Sequence, residues 1–275
     1  GVSNYNIHRG NPMLVRAVFL LLYLVSLNIH AEKFEVDDVI LDYEIIGKGQ
    51  PLLLLHGGFL SKESMRPQIN HLKGDFEVIA LDSREHGLST ASQKPISYEQ
   101  MYQDTLALIE HLKLKKVNLL GYSDGGIIGL MLASRNPQLV DRMVLIGANY
   151  HWNGLLEKKR NEFSKMTASD SPDFMKENFY KNRGTVAGFE DYFEEMMTMF
   201  LTLPTMKLNE LSSIESEVLI IAGDREIIDI AHTISIFQAI KGSHLFIVPD
   251  ADHYVIFKKP ALINSVMSDF LIPKQ

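Results

Sequence analysis

Residues 116–132 read KVNLLGYSDGGIIGLML, and this stretch decides the fold of the chain. An apolar run at 117–120, typical of a buried strand, ends at Gly121, and a glycine-punctuated apolar stretch typical of a helix begins after Gly125. Ser123 lies at the turn between them, in the pattern Gly-x-Ser-x-Gly. A side chain at either glycine would collide with the backbone of so tight a turn. The pattern predicts a nucleophilic serine whose hydroxyl is exposed above a sheet.

The composition is that of a globular domain. The 275 residues suffice for one sizeable core, with 46% hydrophobic and 22% charged residues. The net charge of -7, without a dense basic cluster, argues against a nucleic-acid partner. The absence of cysteine excludes disulfides, zinc–thiolate sites and a cysteine nucleophile. The ten histidines form no H-x-x-x-H or H-x-x-E-H pattern, and we expect neither a metal nor a cofactor.

The N-terminal residues predict an export signal. A short positive start at 13–16 precedes an apolar run at 17–29, and Ile29-His30-Ala31 could precede cleavage. The run is shorter than the roughly 20 residues of a comfortable membrane span. Residues 1–31 are therefore interpreted as an upstream extension, 1–12, followed by a signal peptide, and the alternative is an uncleaved membrane anchor. The expected location is secreted or periplasmic, or membrane-anchored under the alternative.

Short apolar runs alternate with helical patterns along most of the chain. Such alternation predicts an α/β fold with a parallel sheet, right-handed crossovers and helices on both faces. In such sheets the reactive groups gather beyond the carboxyl ends of the strands. Three polar, glycine-containing stretches follow strand ends here, at 56–58, at 82–89 and at the serine turn. The eight predicted strands are 33–35, 39–45, 51–56, 76–81, 117–120, 142–146, 217–222 and 245–248.

The alternation breaks after the sixth predicted strand. Residues 155–166, 172–180 and 189–201 have helical patterns, and methionines are frequent in this part of the chain. These methionines either pack the helices together or form an adaptable apolar ceiling over a pocket. We favour an inserted helical cap that covers the site. The predicted division of the chain is 32–149 and 214–275 for the core and 150–213 for the cap.

A serine hydroxyl needs a general base within hydrogen-bond reach, and the base needs a third group that orients it. Three histidines follow the insertion. His232 lies inside a predicted helix and His244 lies at the start of a predicted strand, positions more typical of packing or of the surface. His253 lies in a loop immediately after the last strand, from which its imidazole can turn toward Ser123. We therefore predict His253 as the base.

The acid that orients the base is expected in the loop after the strand at 217–222. This loop offers Asp224 and Glu226, and Asp229 follows as a cap of the next helix. Asp224 directly follows the glycine of the strand and could instead hold the turn. Glu226 reaches farther over the carboxyl edge of the sheet. From the residues alone the choice between Asp224 and Glu226 stays open.

The chain as a whole, over residues 33–271, resembles the α/β-hydrolases, which implies an eight-stranded, mostly parallel sheet with a helical cap inserted after the sixth strand. The serine turn and the last loop are particularly similar to serine esterases of the valacyclovir hydrolase (biphenyl hydrolase-like) type. In that family the acid is usually the aspartate of a G-x-x-D pattern. Glu226 stands at the matching position, so the resemblance favours Glu226 and leaves Asp224 as the fallback. The matching motifs are His56-Gly57-Gly58, Asp82-x-Arg84-x-His86-Gly87-x-Ser89, Gly-Tyr-Ser-Asp-Gly-Gly, and Gly-Asp-Arg-Glu followed by His253.

The same resemblance implies an oxyanion hole. Its donors are the backbone N–H of Asp124, the residue after the nucleophile, and the backbone N–H of Gly58, with Phe59 as the fallback. The Asp124 carboxylate is open to two interpretations. The helix dipole favours a negative charge at this position, or the carboxylate attracts a cationic substrate group, as the similarity to hydrolases of amino-acid esters implies. His56 and His86 are expected to be structural, and Glu85 stands where the family commonly has glycine.

These residues predict a serine hydrolase that cleaves a carboxylic ester, or a related acyl bond, of a small substrate through an acyl-enzyme on Ser123. Two other reactions use the same set of residues, namely C–C bond hydrolysis and cofactor-free perhydrolysis. A small-molecule receptor without turnover is the alternative from another class, since a fold does not dictate function. The methionine-rich cap favours a small to medium apolar acyl or aryl group as substrate.

Overall fold

The computed structural model describes residues 30–272, in which eight strands form one sheet. Their order across the sheet is β1-β2-β4-β3-β5-β6-β7-β8. The first two pairings, β1 with β2 and β2 with β4, are antiparallel, and every later pairing is parallel. The strands are β1 (His30–Val36), β2 (Val39–Gly47), β3 (Gln50–Leu55), β4 (Phe76–Leu81), β5 (Val117–Tyr122), β6 (Val140–Ile146), β7 (Glu217–Gly223) and β8 (His244–Val248). The predicted mostly parallel eight-stranded sheet is confirmed.

The helices lie on both faces of this sheet, as predicted. α2, α3 and α7 share one apolar cluster with the sheet, and α1, α8 and α9 share the other. The helices are α1 (Arg66–Leu72), α2 (Tyr98–His111), α3 (Asp124–Arg135), α4 (Glu157–Phe163), α5 (Asp173–Arg183), α6 (Phe189–Thr202), α7 (Ile230–Ala239), α8 (Val255–Lys258) and α9 (Pro260–Leu271).

Burial on both faces explains why the central strands read as continuous apolar runs. In β3, Leu52 and Leu54 pack into one cluster, whereas Leu53 and Leu55 pack into the other. This division follows from the period of two that a strand imposes on its side chains. The same holds for β5, in which every residue is buried.

The segment between β6 and β7 carries α4, α5 and α6, where the sequence predicts a helical cap. The predicted helix at 155–166 is wrong in extent. Leu155 forms an isolated antiparallel bridge with Ile228 and Leu156 is extended, so α4 begins only at Glu157. After α4 the chain turns, and a capping box at Thr167 starts a separate 3₁₀ turn.

The methionines of the cap serve both roles that the sequence leaves open. Met196 and Met199 are buried in an apolar cluster that is continuous with the core. Met166, Met175 and Met197 line a cavity beneath the cap. The cap therefore shares its apolar interior with the core and also forms the ceiling of the cavity.

The predicted export signal lies almost entirely outside the described residues, and it stays a prediction. β1 begins at His30, earlier than the predicted start at residue 33, and it pairs with β2 from that residue onward. Cleavage after Ala31 would therefore remove the first two residues of this strand. Among residues 30–272 no helix has the length and the apolar character needed to cross a bilayer.

Candidate active site

Ser123 lies between the end of β5 and the start of α3 in a strained backbone conformation. Its φ of 52° and ψ of -116° are outside the common regions for a residue with a side chain. Such a conformation costs about 1–3 kcal/mol and persists only where its surroundings hold it. The Ser123 N–H donates to the Ile146 carbonyl at 2.8 Å, and the Gly126 N–H donates to the Ser123 carbonyl at 2.8 Å.

The glycines of the turn are required by close backbone approach, as predicted. A Cβ atom at Gly121 would lie 2.5 Å from the Gly125 carbonyl oxygen. A Cβ atom at Gly125 would lie 2.1 Å from the carbonyl oxygen of Leu55, at the end of β3. The turn can therefore pack against its neighbouring strand only without side chains at these two positions.

The structure brings Ser123, His253 and Glu226 together at the carboxyl edge of the sheet. His253 Nε2 lies 3.0 Å from Ser123 Oγ, and His253 Nδ1 lies 2.5 Å from Glu226 Oε1. Because a carboxylate accepts the hydrogen on Nδ1, Nε2 is left free to accept the serine proton. Burial lowers the pKa of His253, but the charge and hydrogen bond of Glu226 outweigh burial and raise it.

Gly147, directly after β6, leaves room for the side chain of Glu226, which is longer than that of an aspartate. A Cβ atom there would lie 3.0 Å from His253 Nδ1 and 3.2 Å from Glu226 Oε2. Gly147 also has a φ of +62°, which favours glycine. Ile227 N–H donates to Glu226 Oε1 at 2.8 Å and fixes the carboxylate. The glutamate therefore lies in space that a larger residue at 147 would occupy.

The fallback acid, Asp224, is not brought to His253. Its side chain is exposed, and its Oδ1 accepts the Ala251 N–H at 3.2 Å. Backbone hydrogen bonds from Ala251 and Asp250 lower the pKa of Asp224. Asp224 therefore holds the turn before His253. Asp229 caps α7 by accepting the Ala231 N–H at 2.8 Å, as predicted.

The predicted oxyanion-hole donors have no acceptor in the described part of the chain. Within residues 30–272, neither the Gly58 N–H nor the Asp124 N–H donates a hydrogen bond. Asp124 is the first residue of α3, where a helix leaves its N–H groups without intrahelical partners. The N–H of the fallback, Phe59, donates none to the described residues either. The assignment of the hole to Gly58 and Asp124 stays a prediction.

The Asp124 carboxylate is buried beside Ser123 and only half satisfied. Tyr98 donates its hydroxyl to Asp124 Oδ1 at 2.9 Å, whereas Oδ2 has no hydrogen-bond partner among the described residues. Burial raises the pKa of Asp124 to about 7, although the Tyr98 hydrogen bond opposes this shift. A buried acceptor without a partner is costly, so this oxygen favours a donor in the adjacent cavity.

A cavity of about 140 Å³ lies between the core and the cap. Ser123, His253, Asp124 and Tyr98 are among the residues that line it from the core. From the cap it is lined mainly by apolar side chains, among them Phe163, Met166, Met175, Met197, Phe200 and Leu203. A few convergent polar groups in an apolar cavity are typical of a small-molecule site.

The two histidines expected to be structural are buried in hydrogen-bonded positions. Ser83 N–H donates to His56 Nε2 at 3.1 Å, so Nδ1 carries the hydrogen and donates to the Gly57 carbonyl at 2.7 Å. His86 Nδ1 likewise donates to the Arg84 carbonyl at 2.8 Å. Burial lowers the pKa of His86 to about 3, which keeps this imidazole neutral.

Three contributors to the site were not predicted from the sequence. Tyr98 binds Asp124, Gly147 makes room for Glu226, and Tyr122 donates its hydroxyl to the His253 carbonyl at 3.0 Å. Of these three, only Gly147 could have been singled out from the sequence, because it is a glycine that directly follows a buried strand. Within the described part of the chain, no group of three histidine, aspartate or glutamate residues could hold a metal ion.

Comparison with known proteins agrees with this architecture. A model of the α/β-hydrolase fold family matches residues 50–210, which is more than half of the chain. Serine hydrolase BPHL of Homo sapiens is 28% identical over 263 residues, covering 89% of this chain and 87% of that protein. The Mus musculus protein of the same name is 28% identical over 251 residues, covering 87% and 85%.

The solved structures extend this agreement to the fold. The enol-lactonase of Burkholderia xenovorans superposes with a TM-score of 0.71 at 22% identity, covering 88% of this chain and all of that one. The full-length relatives are hydrolases by name, which supports a hydrolytic activity here. The serine turn lies inside the segment that the family model matches. The chain belongs to the α/β-hydrolase family.

Proposed function

We propose that this protein is a serine hydrolase that cleaves carboxylic esters of small substrates through an acyl-enzyme on Ser123. The observation that carries the proposal is the hydrogen-bonded series from Ser123 Oγ to His253 Nε2, 3.0 Å, and from His253 Nδ1 to Glu226 Oε1, 2.5 Å. Nucleophile, base and orienting acid are thereby within reach of one another at the wall of an apolar cavity.

The reaction follows from these positions. Ser123 Oγ attacks the ester carbonyl carbon while its proton passes to His253 Nε2, and the carbonyl oxygen becomes the oxyanion. The Gly58 and Asp124 N–H groups would donate to that oxyanion. The tetrahedral intermediate then expels the alcohol, which takes the proton from His253. Water, deprotonated by His253, releases the acid from the acyl-enzyme and restores the serine.

The cavity favours esters that combine an apolar group with a cationic one. Its cap side is lined by methionine and phenylalanine, which suits a small to medium apolar acyl or aryl group. Beside this surface, Asp124 Oδ2 is a buried acceptor that has no hydrogen-bond partner within residues 30–272. An ammonium group of the substrate would satisfy it and would stabilise its ionised form.

Turnover of p-nitrophenyl acetate, butyrate and octanoate tests the proposal, with the Ser123→Ala variant measured beside the wild type. We expect repeated turnover by the wild type, preference among the three chain lengths, and no turnover by the variant. Equal activity in both proteins would mean that Ser123 is not the nucleophile. Inactivity of both on every ester would remove the esterase proposal and favour a carbon–carbon substrate or a receptor.

A further inference from the structure

The cap contacts the loop that carries a proposed oxyanion donor. Asn178, on α5, donates from its side-chain amide to the carbonyl oxygen of Phe59 at 3.1 Å. Phe59 directly follows Gly58 in the loop after β3. This hydrogen bond joins residues 119 positions apart in the chain.

Phe59 holds a strained conformation that is supported within the loop, where the Leu60 N–H donates to the Gly57 carbonyl at 3.2 Å, and also by the cap. Its φ of +59° lies in the left-handed region, which disfavours a residue with a side chain. Phe59 is only 3% exposed, and its ring packs edge-to-face against Tyr192 at 5.4 Å and Phe200 at 5.9 Å, both on α6. A strained conformation persists only where the surroundings over-determine it. Here the hydrogen bond from Leu60 to Gly57 and the contacts from two cap helices supply those surroundings together.

Gly58 itself lies against the cap. A Cβ atom at this position would lie 2.6 Å from Phe200 Cζ and 3.0 Å from Met196 Cε, both on α6, and 2.5 Å from Asp124 Oδ2 on the core side. On the core side, the hydrogen bond from His56 fixes the preceding carbonyl, that of Gly57. The peptide that bears the Gly58 N–H is therefore held by the core, and the residue that follows it is held by the cap.

We infer that Asn178 is a positioning residue for the oxyanion hole. By holding the Phe59 carbonyl it keeps Phe59 in its left-handed conformation and so fixes the loop on the C-terminal side of Gly58, whose N–H is proposed to donate to the oxyanion. The inference rests on the proposed esterase function. On this inference the cap does more than cover the site. Stabilisation of the transition state also depends on the cap being in place.

The test compares two asparagines of the same helix. Asn178→Asp keeps the size of the side chain but removes the donor. Asn182→Asp makes the same exchange one turn further along α5, in the same gap between core and cap, where Asn182 donates no hydrogen bond to the described residues. Both variants add one negative charge, but only at position 178 does the carboxylate face the Phe59 carbonyl oxygen, so their difference reports the lost hydrogen bond together with this repulsion.

With p-nitrophenyl butyrate, we expect kcat of Asn178→Asp to fall by roughly 10- to 100-fold, the scale of a misplaced catalytic donor. The KM should stay within about threefold of the wild-type value, because binding of the ester in its ground state depends little on the oxyanion hole. Asn182→Asp should stay within about twofold of the wild type. A trifluoromethyl ketone, which adds to Ser123 as a hemiketal oxyanion, should bind Asn178→Asp more weakly by the same factor as kcat/KM falls.

Equal kcat values for the two variants, or a loss confined to KM, would overturn the role of Asn178 and leave the esterase proposal standing. Absence of Ser123-dependent turnover in the wild type would overturn both. If Asn178→Asp does not fold, as judged by its thermal unfolding, Asn178→Ala removes the same donor without a charge, and the same expectations apply to it.

Discussion

The two halves of the candidate site are held by different parts of the molecule. Ser123, Glu226 and His253 follow β5, β7 and β8, so parallel strands of the core bring the proton-transfer groups to one edge of the sheet. The loop after β3 also belongs to the core, but Phe59 is fixed by Asn178 and by aromatic rings of the cap. On the proposed function, proton transfer depends on the core alone, whereas substrate fit and the support of the loop beside Gly58 depend also on the cap.

The largest effect is expected from the core side of this comparison. Glu226→Gln should lower kcat by roughly 10³- to 10⁴-fold, because the histidine loses the carboxylate that selects its tautomer and stabilises its charged form. Asp224→Asn is the matched control and should stay within about twofold, since Asp224 does not contact the His253 imidazole and the amide oxygen of asparagine can still accept the Ala251 N–H. Steady-state kinetics on p-nitrophenyl butyrate measures kcat for both variants and shows which carboxylate the reaction requires. A larger loss in Asp224→Asn would reassign the acid.

Two glycines, one in each region, sharpen the comparison. Gly147→Ala should lower kcat by about 100-fold, because the added methyl group would displace His253 and Glu226. Gly184→Ala, in the cap, imposes the same left-handed strain at a φ of +69° but has no atom within 4 Å of its new Cβ. It should cost stability only.

Thermal unfolding and kcat are measured for both glycine variants. Similar kcat values would show that the space beside His253 is not required for the reaction.

A smaller effect is expected from a substitution at Asp124, the proposed contact for a cationic group of the substrate. Asp124→Asn keeps the backbone N–H and the helix start but removes the negative charge. For an ester of an α-amino acid, kcat/KM should fall by about 10- to 100-fold, the scale of a buried hydrogen bond to a charged group. For the uncharged ester of the same size it should change by less than threefold. An equal loss on both esters would assign Asp124 to the structure of the turn.

The smallest expected effect is a shift in the pH at which the reaction reaches its inflection. His253 acts as a base only when neutral, and Glu226 raises its pKa above the ordinary value of about 6.5. For an uncharged ester, kcat/KM should therefore rise with pH, with its inflection above 6.5, and fall about tenfold per unit below that inflection. The Glu226→Gln variant should shift the inflection to lower pH. A wild-type inflection below 6.5 would contradict the assigned pairing.

Much of the core could be predicted from the sequence because its signals are local. The apolar runs that become β3 and β5 reveal strands buried on both faces, and the glycines around Ser123 reveal a tight turn. His253 could be predicted because it directly follows the last strand. The acid could not be chosen from the residues alone, since Asp224 and Glu226 both follow β7. The resemblance favoured Glu226, and the structure adds the space at Gly147 that accommodates it.

The cap was less predictable because its contacts join distant residues. The helical pattern located α5 and α6, but α4 begins late because Leu155 pairs with Ile228, far along the chain. The hydrogen bonds from Asn178 to Phe59 and from Tyr98 to Asp124 have no signature in local periodicity. Such contacts arise only when the cap packs on the core.

Trapping of the acyl-enzyme tests the central claim most directly. The wild type is mixed with p-nitrophenyl acetate, quenched in acid within the first turnovers, digested, and analysed by mass spectrometry. We predict a single acetyl group on Ser123, absent from Ser123→Ala and formed far more slowly in Glu226→Gln. Turnover without acetylation of Ser123, or acetylation of another residue in its place, would contradict the assignment of Ser123, His253 and Glu226.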